Sequence, residues 1–458
     1  MEIRQLTIAQ LATAYRTGTL TAAAVTEAYL AAIRPGPVYR VVTAERAREQ
    51  AKRADELLAK GIDLGPLQGI PLALKDLLGT AGEVAAAGSK VLLQRPPAFQ
   101  DAAVAARLDA AGAVFLGKTT MTELAFSGVG LNPHFGTPGC ALDPTRIPGG
   151  SSSGSAVAVA SGLACAAIGS DTGGSVRIPA AFNGLVGLKP TDGALPMAGV
   201  TPLSPTLDTL GPLTKTVADT WLLWQAMKGD APRYFRASGL SGLRLLAPST
   251  VLLEGLEPEV ASAFQAACER LREWGATIEL RESAALQELN GLYARYGSFA
   301  SHEALALYGE LLSTRLSDMD PRVTARILQH QGRPAQDYVR LKLERQRLRQ
   351  SFWDECREVN AVLAPTVPIL PPKLEELAHD ESYYRINSLC LRNTTPFNLL
   401  GVPAVSVPCA RTASGLSVGL MIAARPHHEA LVLSIARAVE AARAITPARS
   451  SSATSAAL

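Results

Sequence analysis

Serine and glycine concentrate in one stretch of 29 residues, 149–177, which reads GGSSSGSAVAVASGLACAAIGSDTGGSVR. Two small-residue clusters there bracket an apolar run. Glycine lets backbone approach backbone or a ligand, and a serine hydroxyl can carry a proton or attack a carbon. In Asp171-Thr172-Gly173-Gly174-Ser175, two glycines before a serine can turn backbone amides toward one point. An oxyanion hole requires such donors, aimed where negative charge develops. A nucleophile closing the turn would sit beside its own oxyanion hole, although an ordinary tight turn uses the same residues. A hydrolase that activates serine without histidine needs another base, and lysine serves if it is neutral. Free lysine has a pKa of about 10.4, and burial lowers it by up to about 3–5 units. Lys75 ends the apolar run IPLAL, and LLG follows soon after it. Taken alone, that run also suits a lysine snorkelling at a strand end beside Asp76.

Two short matches in the chain point elsewhere. Residues 112–119, GAVFLGKT, fit the P-loop expression. A phosphate loop needs a strand before it and a loop within it, whereas here an alanine-rich helix precedes and the middle residues read as a strand. Residues 150–154, GSSSG, fit the nucleophile elbow G-x-S-x-G. That elbow needs a hydrophobic strand leading in, and ALDPTRIPG is not one. His379, His427 and His428 are the histidines that could be argued for a triad, and all read better as surface or helix-start residues.

The elements that must position these residues alternate. Helical spacing marks 21–33 and 44–60, and a buried strand fits 70–74. A helix at 102–111 precedes a strand at 113–116, a helix or turn starts at 121–126, and further strands fit 164–169 and 184–188. This is α/β architecture with a largely buried sheet. Residues 230–385 hold long polar helices at 258–274 and 338–358, with strands LRLLAP and ATIEL among them. They read as a helical elaboration over one face. The proline-rich segment 362–372 opens the final section. Strand-like patterns return at 397–408 and 416–424, and an amphipathic helix closes at 429–442.

Bulk properties exclude several classes. The 458 residues are 47% hydrophobic and 19% charged, which argues for a substantial core and against disorder. A net charge of +3 gives no reason to expect nucleic acid or an anionic membrane surface as a partner. Six scattered cysteines without a C-x-x-C pair read as buried thiols of a reducing compartment. The N-terminus is not a secretory signal and no segment reads as a membrane span, so the expected location is cytoplasmic.

Together these residues resemble the amidase signature family. The resemblance is carried by GIPLALKD, GKTTMTELAFSG, PGGSSSGSAVAVASG, AIGSDTGGSVRIPAAFNGLVGLKPT and LDTLGPL, then by APTVP, TTPFNLLGVPAVSVP and GLMIAA. It implies a large mixed β-sheet core flanked on both sides by α-helices. It also implies one amidase domain over 1–445, with a signature core at about 66–225, the elaboration at about 230–385 and a core return at 386–445. The low-complexity end of the chain, by its composition, reads as a disordered tail at 446–458. By the same resemblance Ser175 fits the acylated nucleophile, Ser151 a bridging serine after a cis peptide bond, and Lys75 the terminal base. Thr172, Gly173, Gly174 and Ser175 fit the oxyanion amides, and Ala125 lines the substrate site through its backbone. The expected chemistry is hydrolysis of a small-molecule amide without metal or cofactor. Carbamates, ureas and esters stay open as substrates, and a homodimer is compatible with all of this. The chain departs from the family pattern at Ser153, Thr120 and Met421, where glycine, asparagine and glutamine are common. A second reading is a glutamine-hydrolysing A-type subunit of a tRNA-dependent amidotransferase. Ile178 after Arg177 weakens it, because those subunits usually read GGSIRQPA. A non-catalytic relative is a third reading, opposed by the residue types at 75, 151 and 175.

Overall fold

Eleven strands join in one mixed sheet in the computed structural model, which describes residues 2–445. The tail at 446–458, expected to be disordered, lies outside the described residues. In chain order the strands are β1 (Tyr39–Val42), β2 (Pro71–Lys75), β3 (Val114–Thr119), β4 (Ala166–Asp171), β5 (Val186–Lys189), β6 (Thr209–Thr214), β7 (Arg244–Pro248), β8 (Thr277–Arg281), β9 (Ala361–Pro365), β10 (Ala404–Arg411) and β11 (Ser417–Ala424). Across the sheet they run β1-β3-β2-β4-β6-β5-β10-β11-β9-β7-β8. β2 is parallel to β3 and β4, and β7 is parallel to β8 and β9. The other pairs are antiparallel.

Every residue of β2, β3, β4, β5, β6, β9 and β11 is buried. Side chains alternate between the faces of a strand, so both faces of the sheet are covered. That is why these strands read as unbroken apolar runs. The edge strands β1 and β8 carry exposed residues. Helices Ser153–Ala160 and Arg177–Asn183 pack together on one face, and helices Val217–Lys228, Pro258–Glu273 and Glu429–Ile445 pack on the other.

Register decides what meets at the end of the sheet. Leu74 of β2 pairs with Ile168 of parallel β4, so the C-terminal ends of the two strands lie side by side. Lys75 and the 170–175 segment are therefore neighbours despite their separation in sequence. The helix Ser153–Ala160 sits close to the sheet because its residues are small. Gly154 N–H donates to the Thr120 carbonyl at 2.9 Å, and a Cβ on Gly154 would fall 2.6 Å from that oxygen.

The sequence expectations need three corrections. The strand expected over 397–408 divides into a helix, Thr395–Leu400, and strand β10. The proline-rich 362–372 segment begins inside β9, between β11 and β7. Residues 230–385 do more than cover a face, because β7 and β8 extend the sheet to one edge.

Candidate active site

Lys75 is fully buried at the end of β2. Its Nζ lies 2.7 Å from Ser151 Oγ and 2.8 Å from Ser170 Oγ. Asp76 turns away and binds Arg40 at 2.6 and 2.8 Å. Among the described residues no carboxylate lies within ion-pair distance of Lys75. Burial without a counter-ion lowers the Lys75 ammonium to about 7, against the opposing fields of Asp171 and Asp208. Near neutral pH a large share of this side chain is free amine, able to accept a proton.

Ser151 is buried, and the Gly150–Ser151 peptide is cis. The neighbouring Ser152 has its hydroxyl 3.3 Å from both the amide and the carbonyl of Ser170, inside the packing. Its backbone N–H donates to the Ser175 carbonyl at 3.3 Å, which joins the two serine loops.

Residues 172–175 form a turn anchored from both sides. Asp171 accepts from the amides of Val176 and Arg177, from the Arg177 guanidinium at 2.9 and 3.0 Å, and from Asn398 Nδ2 at 2.8 Å. Burial alone would raise this carboxyl. Arg177 and Asn398 overcome that and hold it well below the usual carboxylate range. Thr172 Oγ1 donates to Asp208 at 2.5 Å, and Thr394 Oγ1 donates to the Gly173 carbonyl at 2.6 Å. Burial pushes Asp208 up to about 6 against its hydrogen bonds from Thr172, Leu203 and Ser204. Among the described residues, no acceptor takes the backbone N–H of Thr172, Gly173, Gly174 or Ser175. Four consecutive amides are thus available where Ser175 stands, and donors fixed before reaction are what a developing oxyanion needs. Removing one partner of a buried ion pair costs about 3–5 kcal/mol. Arg177→Met should therefore lower unfolding free energy by about that amount in urea titration, and unchanged stability would remove this pair as the anchor of the turn.

Leu124 and Ala125 adopt φ of 51° and 59°, the left-handed region that costs a non-glycine residue about 1–3 kcal/mol. Surrounding bonds hold the bend. Leu124 N–H donates to Ala87, Ser127 Oγ donates to Asn387 Oδ1 at 3.1 Å, and Tyr383 OH donates to Ser127 Oγ at 3.0 Å. Ala125, Thr172, Gly173 and Ser175 line one cavity of about 1200 Å³. Lys75, Ser151 and Gly174 lie behind that lining. The far walls come from helices Ala284–Asn290, Phe299–Arg315, Pro321–Leu328 and Asp380–Arg392.

The misleading matches resolve physically. Gly117, Lys118 and Thr119 lie inside β3, between β1 and β2, where no phosphate loop can form. His379, His427 and His428 are exposed and outside the cavity. All six cysteines are buried. Among the described residues no group of three His, Cys, Asp or Glu is arranged to hold a metal ion, and no helix is long and apolar enough to cross a membrane. Of the three departures from the family pattern, Met421 Sδ contacts Arg177 Nη1 at 3.3 Å, and the Ser153 and Thr120 hydroxyls are buried without partners. Sequence reasoning missed Ser170, Asp171, Arg177 and Asn398. An Asp and an Arg six residues apart around the turn were a readable signal, whereas Asn398 arrives from a distant helix.

A family model described as Amidase matches residues 24–433. The chain is 36% identical over 411 residues to 2-amino-5-chloromuconic acid deaminase of Comamonas testosteroni, covering 88% of each protein. It is 35% identical over 481 aligned positions to the A-type subunit of the glutamyl-tRNA(Gln) amidotransferase of Chloroflexus aurantiacus, covering 96% of this chain and 97% of that one. A crystal structure of an amidase superposes with a TM-score of 0.86 at 33% identity, covering 95% of this chain and all of the other.

Proposed function

Because this chain belongs to the amidase signature family and is an amide C–N hydrolase, we propose that it cleaves a small-molecule amide through an acyl-enzyme on Ser175. The observation that carries this reading is the placement of Ser175 in the cavity wall, beside four unengaged amides and in front of a buried, counter-ion-free lysine. Neutral Lys75 takes a proton from Ser151, which takes one from Ser175. The Ser175 oxygen attacks the amide carbon, and the 172–175 amides hold the oxyanion. The C–N bond breaks as Ser151 returns a proton to the leaving nitrogen. Water then attacks the ester through the same relay and releases the acid. The Lys75–Ser151 contact is already in place at 2.7 Å. The Ser151–Ser175 link closes as substrate enters, since catalytic hydrogen bonds commonly tighten in the Michaelis complex.

Turnover of an amide, carbamate and ester panel, with fluorophosphonate labelling and peptide mapping, tests the proposal. Label on Ser175 supports it, and label on Ser152 or on no serine overturns it. The base must be unprotonated, so kcat/KM should rise about tenfold per pH unit below 7 and level off above it. A profile flat from about pH 5 to 9, with chemistry rate-limiting, would remove Lys75 as base.

The likeness to the amidotransferase component, over nearly the full length of both chains, carries a second reading. Here the chain would hydrolyse glutamine for a partner that amidates tRNA-bound substrate. Full amidase activity in the purified single chain argues against it, and activity only in a complex with partner subunits supports it.

A further inference from the structure

Four arginines, Arg326, Arg333, Arg385 and Arg392, line the cavity that holds Ser175, and none of its described lining residues is Asp or Glu. Arg333 is paired with Asp337 at 3.0 Å. The other three make no ion pair among the described residues. Arg385 is exposed at the rim, while Arg326 and Arg392 are partly sheltered inside.

Arg326 reaches the loop beside the nucleophile. Its Nη1 donates to the Phe126 carbonyl at 2.5 Å, and its guanidinium stacks over the Phe126 ring at 4.2 Å. Arg392 ends the helix Asp380–Arg392. The preceding Leu391 packs against Gly173, and Thr394 bonds the Gly173 carbonyl. Arg392 Nε donates to Asn393 Oδ1 at 3.0 Å, but its Nη2 is buried with no hydrogen-bond partner. Burial lowers the pKa of both guanidinium groups, yet arginine stays charged at any working pH. The carboxylate whose field reaches Arg392 is Glu254, which accepts from Val251 N–H at 2.7 Å and makes no ion pair with Arg392 among the described residues. Two further carboxylates are committed elsewhere. Asp208 holds Thr172, and Glu303 accepts from Ser204 Oγ, Thr206 N–H and Tyr338 OH. Leaving a sheltered cation and a buried N–H without an acceptor is costly. The unpartnered Arg392 Nη2 and the Arg326 charge without a counter-ion line the same cavity as Ser175 and describe a receptor for an anion.

We propose that the substrate of this cavity is an amide whose acyl part carries a carboxylate, bound by Arg326 and Arg392. The amide of a dicarboxylic acid with one free carboxyl group is the simplest such compound. This rests on the amide-hydrolase reading of Ser175. Placing the carboxylate on the acyl side follows from Ser151. That proton donor is fully buried and outside the cavity lining, so the leaving nitrogen meets a closed wall and the acyl part fills the open volume. Hydrolysis of such a half-amide consumes one water and releases ammonia and the dicarboxylate. Guanidinium recognises carboxylate through paired N–H donors, and Arg392 Nη2 has one to give.

The test compares half-amides of four- to six-carbon dicarboxylic acids with neutral amides of equal length, on the purified full chain. A charge-assisted hydrogen bond contributes about 10- to 100-fold. The half-amides should therefore lead in kcat/KM by about 100-fold or more. Arg392→Gln and Arg326→Gln should each shrink that lead by at least about tenfold, mainly through KM. Arg392→Lys should recover part of it. The dicarboxylate product should protect Ser175 from fluorophosphonate better than an uncharged diol of equal length. Neutral amides matching or exceeding the half-amides, with Ser175 still labelled, overturn the anion site and leave the hydrolase reading standing. Variants that slow both series equally, with the lead intact, also overturn it by reducing the arginines to a structural role. No turnover in either series together with an unlabelled Ser175 overturns the hydrolase reading and this inference with it.

Discussion

Ser175→Ala should reduce amide turnover by about 10⁴-fold or more and abolish fluorophosphonate labelling. Ser175 is the serine that both lines the cavity and follows the 172–174 amides within a single turn. Ser151 and Ser152 are fully buried and do not line the cavity. Without the Ser175 hydroxyl no acyl-enzyme forms, and the amides can only polarise a carbonyl that nothing attacks. Residual rate enhancement then falls to what binding and the oxyanion donors supply alone. Ser152→Ala is the informative companion. Its hydroxyl is spent on the Ser170 backbone, so that variant should still label at Ser175. Single-turnover kinetics that show normal acyl transfer in Ser175→Ala would end the nucleophile assignment.

Much of this site could be read from the chain because its central strands are buried on both faces. IPLAL before Lys75 is continuous for that reason, and the run places the lysine in an apolar setting. What the run could not tell is where Asp76 points. Its partner Arg40 stands on β1, 35 positions before Lys75, and only the sheet order brings them close. The 172–175 turn was legible through its glycines and the serine that follows them, whereas the anchoring pair Asp171 and Arg177 on either side went unread. Of its second anchor, Asn398 was hidden in the 397–408 segment mistaken for strand, and Thr394 lies just before that segment. An apolar run as short as FNLL cannot separate helix from strand by period. Pro396 in the first turn and Gly401 at φ 70° were the better guides, since they mark a helix start and stop. β6 and β9 escaped notice because prolines usually exclude a central strand. Pro365 closes β9, and Pro212 lies beyond the residues that β6 pairs with β5. The cavity walls were least legible. Arg326 and Arg392 lie 66 positions apart on different helices, and no local pattern joins them.

Lys75→Met should do two opposite things, lowering kcat/KM by about 10³-fold or more while making the protein more stable. The first effect follows from losing the proton acceptor behind Ser151. The second follows from the same burial that makes the acceptor. Lys75 holds its proton only up to about pH 7 in the folded chain but to about 10.4 when unfolded. Between those values the unfolded state binds more protons, so this residue makes stability rise with pH across that window. Below pH 7 the fold carries the whole cost of a buried ammonium, and above about 10 it carries none. One pKa unit corresponds to about 1.4 kcal/mol, but methionine leaves the Ser151 and Ser170 hydroxyls without their partner. The net gain should therefore be about 1–3 kcal/mol at pH 6, should fall as pH rises, and should turn into a loss of about 1–3 kcal/mol near pH 10, where only the two unpartnered hydroxyls remain. Urea unfolding of both proteins at pH 6, 8 and 10 reads this directly. A variant that is less stable than the parent at pH 6 would mean that Lys75 is neutral or paired in the fold throughout. A stable but inactive Lys75→Met would place the base and the instability in one side chain, since burial without a counter-ion both lowers the Lys75 pKa toward neutrality and makes its ammonium costly to the fold.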